Sequence, residues 1–224
     1  MRGGTLPVNL LADEQSINFL PTSIIVAGWT GRDQAAVEHH IDELKALGIS
    51  PPSRVPLFYR VSSSLLTTEG EIQVVGGGSS GEVEPLLLKC RDELWISVAS
   101  DHTDRDLEVF SVAASKQACA KPCARQLWRF ADVSDHLDEL VLSCQIKEDE
   151  QWVMYQQGTL AHIRPLAELI SRYPLVDDSA MLCGTLGAIG GVRPACDYRM
   201  SLHDPVTRRS IEMAYHVRVL PLVQ

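Results

Sequence analysis

Glu82 and Glu84 flank Val83, and Asp101 comes after one further apolar run, so three carboxylates can be gathered from two neighbouring strands. Side chains alternate faces along a strand, which puts Glu82 and Glu84 on one side. A turn around Lys89 to Glu93 and a second buried strand, Leu94 to Ala99, bring Asp101 back beside them. Three oxygen ligands of this kind suit a hard divalent cation, Mg2+ or Mn2+ and also Ca2+, and leave positions for water and a chelating substrate. On spacing alone the same residues are ordinary solvated carboxylates, because Glu-x-Glu is common on exposed strand faces.

The elements that must position these groups are mostly strands. Ile17 to Leu20, Ile24 to Ala27, Pro56 to Val61, Glu71 to Val75, Glu82 to Leu88 and Leu94 to Ser100 are short apolar runs separated by Ser, Gly, Pro and charged turns. Leu140 to Ile146 and Gln151 to Gln156 flank the polar Lys147-Glu148-Asp149-Glu150 and form a hairpin; Cys196 to Met200 and Ile211 to Leu220 are again strand. Helices are expected over Asp33 to Leu47, with Asp33 as cap and Gly48 as stop, over part of Thr103 to Lys116, and over Pro165 to Arg172. In the first of them, helical spacing sets His40 toward the face of Val37, Ile41 and Leu44, one turn from Glu43, and His39 toward the polar side. The distribution describes a mainly β, α+β chain without β-α-β winding. No repeat or linker divides it, so residues 1–224 are read as one domain: 1–55 supply N-terminal strands and a helix, 56–224 the carboxylate-bearing strands.

Gly76-Gly77-Gly78-Ser79-Ser80-Gly81 satisfies both a dinucleotide-binding pattern and a serine nucleophile elbow. Both patterns need a helix immediately after them. Here the next residues are Glu82 to Leu88, whose interior Pro85 suits an edge strand, so the glycines are read as a sharp entry into the metal-bearing strand, with a Ser79 hydrolase as a weaker rival.

Hydrophobic residues make up 45% and charged residues 22% of the chain, as in ordinary globular proteins, and the net charge is -9. An acidic surface opposes binding to nucleic acid or to an anionic membrane. The first residues show no secretory pattern and no apolar run is long enough to span a bilayer, so a cytoplasmic location is expected. The six cysteines include no C-x-x-C pair and are read as reduced, structural thiols.

Several segments, in order, resemble the fumarylacetoacetate hydrolase superfamily. Glu82-Val83-Glu84 is similar to its E-x-E pair, and Ser100-Asp101-His102-Thr103-Asp104-Arg105-Asp106-Leu107-Glu108 to its N-D-x-[ST]-A-R-D-x-Q segment. Ser115 to Pro122 resembles the lysine-bearing segment, Leu182 to Gly187 the T-G-T-P-x-G turn, and His40 to Glu43 the H-x-x-E of the lid helix. Glu108 replaces the usual glutamine, Lys116 comes early relative to Asp101, and Leu186 replaces a proline, which marks a divergent branch. The resemblance implies a β-sandwich roll, a homodimer, and a metal on Glu82, Glu84 and Asp101. It also implies a substrate carboxylate on Arg105, an enolate oxygen stabilised by Lys116, substrate contacts from Thr185 and Glu108, and water activation by His40 oriented by Glu43. Lys121 is the contrasting lysine of the same segment. His102, beside Asp101, is expected to stand behind the site.

The expected function is metal-dependent hydrolysis or lysis of a small dicarbonyl or 2-oxo acid, cleaving a carbon–carbon bond through an enolate. Decarboxylation, hydration and isomerisation of such acids remain open, as does a catalytically silent binding or assembly module of the same fold.

Overall fold

The computed structural model describes residues 6–12, 15–46 and 51–223, the side chains of His40, Glu43, Leu44 and Ala46 excepted. Numbering the strands of four or more residues, the N-terminal part forms β1 (Val8–Ala12), β2 (Gln15–Phe19), β3 (Ser23–Gly28), helix α1 (Gln34–Ala46), β4 (Leu57–Val61) and β5 (Glu71–Val75). The central part holds β6 (Val83–Cys90), β7 (Glu93–Ser100), the short helices α2 (Arg105–Glu108) and α3 (Val112–Gln117), and β8 (Gln126–Arg129). β9 (Val141–Glu148), β10 (Gln151–Thr159), α4 (Leu166–Arg172), β11 (Ser179–Leu182), β12 (Asp197–Asp204) and β13 (Arg209–Leu220) complete it.

An eight-stranded sheet runs β2-β1-β8-β7-β6-β11-β3-β4, and a five-stranded sheet runs β10-β9-β12-β13-β5. The chain is therefore mainly β with a few helices, as the sequence implies. Alternation along β3 and β6 sorts the core into two layers. Ile25, Ala27, Val83 and Leu87 meet Leu142, Met200, Ile211 and Val217 of the smaller sheet. Ile24, Val26, Leu86 and Leu88 face the other way and share a core with Val8, Leu10 and Phe19 of β1 and β2. Strands at one end of the sheet thus cover its own middle, which requires the sheet to roll. A strand buried on both faces reads as a continuous apolar run, and Ser23–Gly28 does.

The expected helices form where their signals are strongest. Asp33 Oδ1 accepts the Ala36 N–H at 3.2 Å and caps α1, whereas the expected stop at Gly48 lies outside the described residues. The helix expected within Thr103 to Lys116 is split into α2 and α3, each with its own cap: Asp104 accepts from Leu107 N–H and Ser111 from Ala114 N–H. A local cap inside a helical stretch competes with continuing the helix, which accounts for the break.

Pro85 departs from expectation. β6 lies inside the eight-stranded sheet, not at its edge. The Pro85 carbonyl accepts Cys183 N–H at 3.1 Å, and a strand residue's N–H and C=O point to the same neighbour. The missing N–H therefore faces Cys183, just past the end of β11 at Leu182, so the one bond forgone lies at the end of the ladder and not in its middle. β1, β8 and β11 carry no strong turn or alternation signal and lie outside the expected strands.

Candidate active site

The β6–β7 hairpin brings the three carboxylates together. Its ladder pairs Cys90 with Glu93 and Val83 with Ser100, closing on Arg91 and Asp92, both at positive φ. Beyond the ladder, Asp101 N–H donates to the Glu82 carbonyl at 3.0 Å, so Asp101 stands opposite Glu82. Opposed residues share a face, and Glu84 lies two residues along on that face. One oxygen from each of Glu82, Glu84 and Asp101 lies within 4.8 Å of the others. A one-residue slip of register would send Asp101 to the opposite face.

Asp101 is fully buried and Glu84 nearly so. Glu84 Oε2 accepts Gly184 N–H at 2.7 Å. Gly184 sits at φ +104, and a Cβ there would fall 1.6 Å from Thr30 Oγ1, so only glycine lets this amide approach. Burial, and after it the Asp101 charge, pushes the Glu84 carboxyl well above the usual carboxylate range. Burial acts on Asp101 in the same sense, but the ammonium groups of Lys116 and Lys121 outweigh it and hold Asp101 below that range.

Lys116, from α3, donates to Asp101 Oδ2, and its Nζ lies 5.8 Å from the Tyr59 ring centroid. Lys121 reaches the same carboxylate. Its segment, Lys121-Pro122, runs parallel to Leu66-Thr67 in a two-residue ladder. Its Nζ donates to the His102 carbonyl at 2.6 Å and lies 3.0 Å from Asp101 Oδ1, without the direction of a hydrogen bond. The two lysines diverge: burial costs both, but Asp101 and then Glu82 raise Lys116, whereas Lys121, with Lys116 beside it, is lowered.

Arg105 opens α2 and ties the site to its surroundings. Nε donates to Ser80 Oγ at 2.7 Å, Nη1 to Glu108 Oε2 at 2.8 Å, and Nη2 stands 3.2 Å from Glu82 Oε1 without a directed hydrogen bond. Glu108 is thus an acceptor for Arg105. The Thr185 hydroxyl donates to the Val83 carbonyl and accepts from Gln156 Nε2, both at 2.8 Å, and Gln156 Oε1 accepts Val83 N–H at 2.9 Å. Together they fasten the glycine-rich turn to the start of β6. The Thr185 hydroxyl proton is engaged there.

His102 is buried behind the cluster, its ring between Tyr215 Oη at 3.0 Å and Ser79 Oγ at 2.9 Å. Burial, with the Lys121 and Arg105 charges, pushes its pKa down to about 3, so the ring is neutral near pH 7. Ser79-Ser80 pairs with Thr103-Asp104 and runs into β6, so neither glycine-rich pattern has the helix it requires. A Cβ on Gly81 would lie 2.2 Å from Tyr215 Oη, which explains a glycine at that position.

His40 and Glu43 lie on α1, but their side chains lie outside the described residues. Gln156, Ser80 and Tyr59 escaped the sequence reading, and Lys121, set there as the contrasting lysine, reaches Asp101 as well. A lysine before a proline, or a strand glutamine, carries no local mark of burial. Two surface grooves, of about 290 and 470 Å³, open elsewhere, and neither is lined by a residue of the carboxylate cluster.

Solved structures share this architecture. A candidate fumarylpyruvate hydrolase of Burkholderia cenocepacia aligns over 99% of this chain and 95% of its own, with a TM-score of 0.68 and 16% identity. A fumarylpyruvate hydrolase of Pseudomonas aeruginosa, solved with Mn2+ and pyruvate, aligns over 96% and 97%, with a TM-score of 0.63 and 16% identity. A 5-carboxymethyl-2-hydroxymuconate delta-isomerase of Mycobacterium smegmatis aligns over 94% and 86%, with a TM-score of 0.59 and 15% identity. The rolled sheets are thus a fumarylacetoacetate hydrolase-like fold. The chain itself belongs to the family described as Protein of unknown function (DUF2848), which matches residues 27–215. No curated protein sequence matches it.

Proposed function

We propose that the protein is a divalent-metal-dependent enzyme of a divergent fumarylacetoacetate hydrolase-like branch, a cytoplasmic homodimer folded as one domain, that cleaves a carbon–carbon bond in a small 2-oxo or dicarbonyl acid. The observation that carries this reading is the buried cluster of Glu82, Glu84 and Asp101, with ligand oxygens within 4.8 Å of one another. All three donors are hard carboxylate oxygens gathered at one site, as suits a hard divalent cation. Glu82, Glu84 and Asp101 would hold Mg2+ or Mn2+, which would supply Lewis-acid polarisation of a substrate carbonyl and lower the energy of the enolate.

The remaining residues supply the rest. Arg105 Nη2, which lacks a directed hydrogen bond, is the donor left for a substrate carboxylate, with Glu108 fixing the guanidinium. Thr185 holds the turn whose backbone amides border the cluster. Lys116 places positive charge where an enolate oxygen develops negative charge, with the Lys121 ammonium behind it. His40, oriented by Glu43, takes a proton from water as the water oxygen bonds to the carbonyl carbon; the adjacent carbon–carbon bond breaks, its electron pair passes to the 2-oxo fragment, and the proton on His40 returns to that fragment's carbon, giving a carboxylic acid and a 2-oxo acid. Four carboxylates (Glu82, Glu84, Asp101, Glu108) face three cations (Arg105, Lys116, Lys121), so with a divalent ion bound the site would carry a net positive charge, which favours an anionic substrate.

A screen of acylpyruvates, oxaloacetate-like acids and hydroxydienoates tests the proposal, with Mg2+ or Mn2+ and with chelator. Turnover that disappears with chelator and returns with metal is expected, and its products distinguish hydrolysis from decarboxylation, hydration or isomerisation. Bound metal without turnover of any such acid leaves the silent module. Chelator-insensitive turnover together with labelling by a serine-directed probe would transfer the chemistry to Ser79.

A further inference from the structure

Lys116 is positioned with more care than a loose surface cation. Ser111 Oγ caps the start of α3 by accepting Ala114 N–H at 3.2 Å, and Gln117 Oε1 accepts Ser62 N–H at 2.8 Å, fixing the far end beside β4. The side chain then passes Tyr59 to Asp101 Oδ2, where Asp101, Glu82 and Glu84 all act on its charge.

We propose that Lys116 is a resident counter-ion of the carboxylate cluster, which competes with the divalent cation for Asp101 and withdraws from Oδ2 when the cation enters. The inference rests on the reading of the cluster as a metal centre. Three carboxylates crowded into a buried space repel one another strongly unless a cation lies among them. Asp101 offers two oxygens, and each already faces an ammonium: Oδ2 faces Lys116 and Oδ1 faces Lys121. One of them must yield for Asp101 to become a ligand.

Lys121 is the worse candidate to move. It is fully buried and also donates to the His102 carbonyl at 2.6 Å, so its departure would strand an ammonium and a carbonyl. Lys116 has Asp101 as its one hydrogen-bond partner among the described residues, its side chain is 8% exposed, and the Tyr59 ring offers a cation–π surface on which to rest. Its long, flexible stem makes the withdrawal a rotamer change.

Titration calorimetry with MnCl2 at pH 8 on metal-free wild type, Lys116→Met and Lys116→Gln tests this, with circular dichroism reporting folding. Both variants should bind Mn2+ at least roughly tenfold more tightly than wild type, because a competing charge has been removed from a buried cluster. Equal or weaker binding in both, with binding retained in wild type, overturns the counter-ion role and leaves the metal centre standing. Absence of Mn2+ binding in all three proteins overturns both. A variant that is unfolded alone and folds on addition of Mn2+ supports the proposal, since the ion then replaces the missing ammonium. One that stays unfolded with Mn2+ at every concentration, in both substitutions, counts against it.

Discussion

Asp101 carries two kinds of obligation at once, and they separate the consequences of removing each carboxylate. Glu82→Ala, Glu84→Ala and Asp101→Ala are each expected to weaken Mg2+ or Mn2+ binding roughly 100-fold or more, measured by calorimetry, because a three-ligand site has none to spare. Unchanged affinity in all three would remove the metal centre. From the sequence all three variants are expected to stay folded. The two ammonium groups on Asp101 alter that for one of them: Asp101→Ala leaves buried lysines unpaired at a cost of about 3–5 kcal/mol, while Glu82, with its side chain 16% exposed, is expected to be nearly neutral. The histidines give a second test at this scale. His40→Ala and Glu43→Ala should depress turnover at saturating metal by at least roughly 100-fold, while His39→Ala, at an exposed position, should stay near wild type. Wild-type turnover in His40→Ala would decide against the assignment. If α1 is a lid, the approach of His40 to the metal belongs to the liganded state.

At the scale of elements, hairpins set the geometry. The β6–β7 turn at Arg91 and Asp92 fixes the register that opposes Asp101 to Glu82. The β12–β13 hairpin is held by a different device: Asp204 Oδ1 accepts Val206 N–H at 3.0 Å and Thr207 N–H at 3.2 Å, and Oδ2 accepts the Thr207 hydroxyl at 2.5 Å. His136 Nε2 lies 3.1 Å from Oδ1. Burial opposes ionisation of Asp204, yet these hydrogen bonds prevail and lower its pKa to about 2 from an ordinary value of 3.8. A carboxylate with a depressed folded-state pKa stabilises the fold above its unfolded pKa and loses that contribution as pH falls. Asp204→Ala is therefore expected to cost roughly 1–3 kcal/mol at pH 7 by urea unfolding, and the difference from wild type should shrink between about pH 4 and pH 2. A constant difference across that window would show that the carboxylate charge is not responsible.

At the scale of the whole molecule, the β roll brings its amino-terminal strands over the face that bears Leu86 and Leu88, next to Glu84. Apolar side chains are left exposed where β5 and β13 end, including Val75, Val219 and Leu222. The family resemblance implies a homodimer. Sedimentation equilibrium should give twice the 24.7 kDa of one chain at micromolar concentration, and a mass of one chain would refute it.

How far the sequence alone reaches can be judged residue by residue. The grouping of Glu82, Glu84 and Asp101 is legible because a period of two and a hairpin return are local rules; α1 and α4 follow from helical spacing, and the β9–β10 hairpin from the polar run Lys147 to Glu150 between two apolar ones. Pro85 reads as an edge residue because a strand's neighbours are not written in the strand; in the fold its missing N–H falls at the end of the β6–β11 ladder. Lys121 was set apart from the site because nothing in Ala120-Lys121-Pro122 distinguishes a solvated lysine from one sealed against Asp101. Likewise the sequence reading of Thr185 and Glu108 as substrate contacts says nothing of their engagement with Val83, Gln156 and Arg105, which comes from pairing across the fold. Strand faces and helix caps depend on neighbours a few residues away and can be read from sequence. Burial, and the partner that each buried charge must find, depend on segments brought together by the rolled sheet, so the tertiary structure alone decides them.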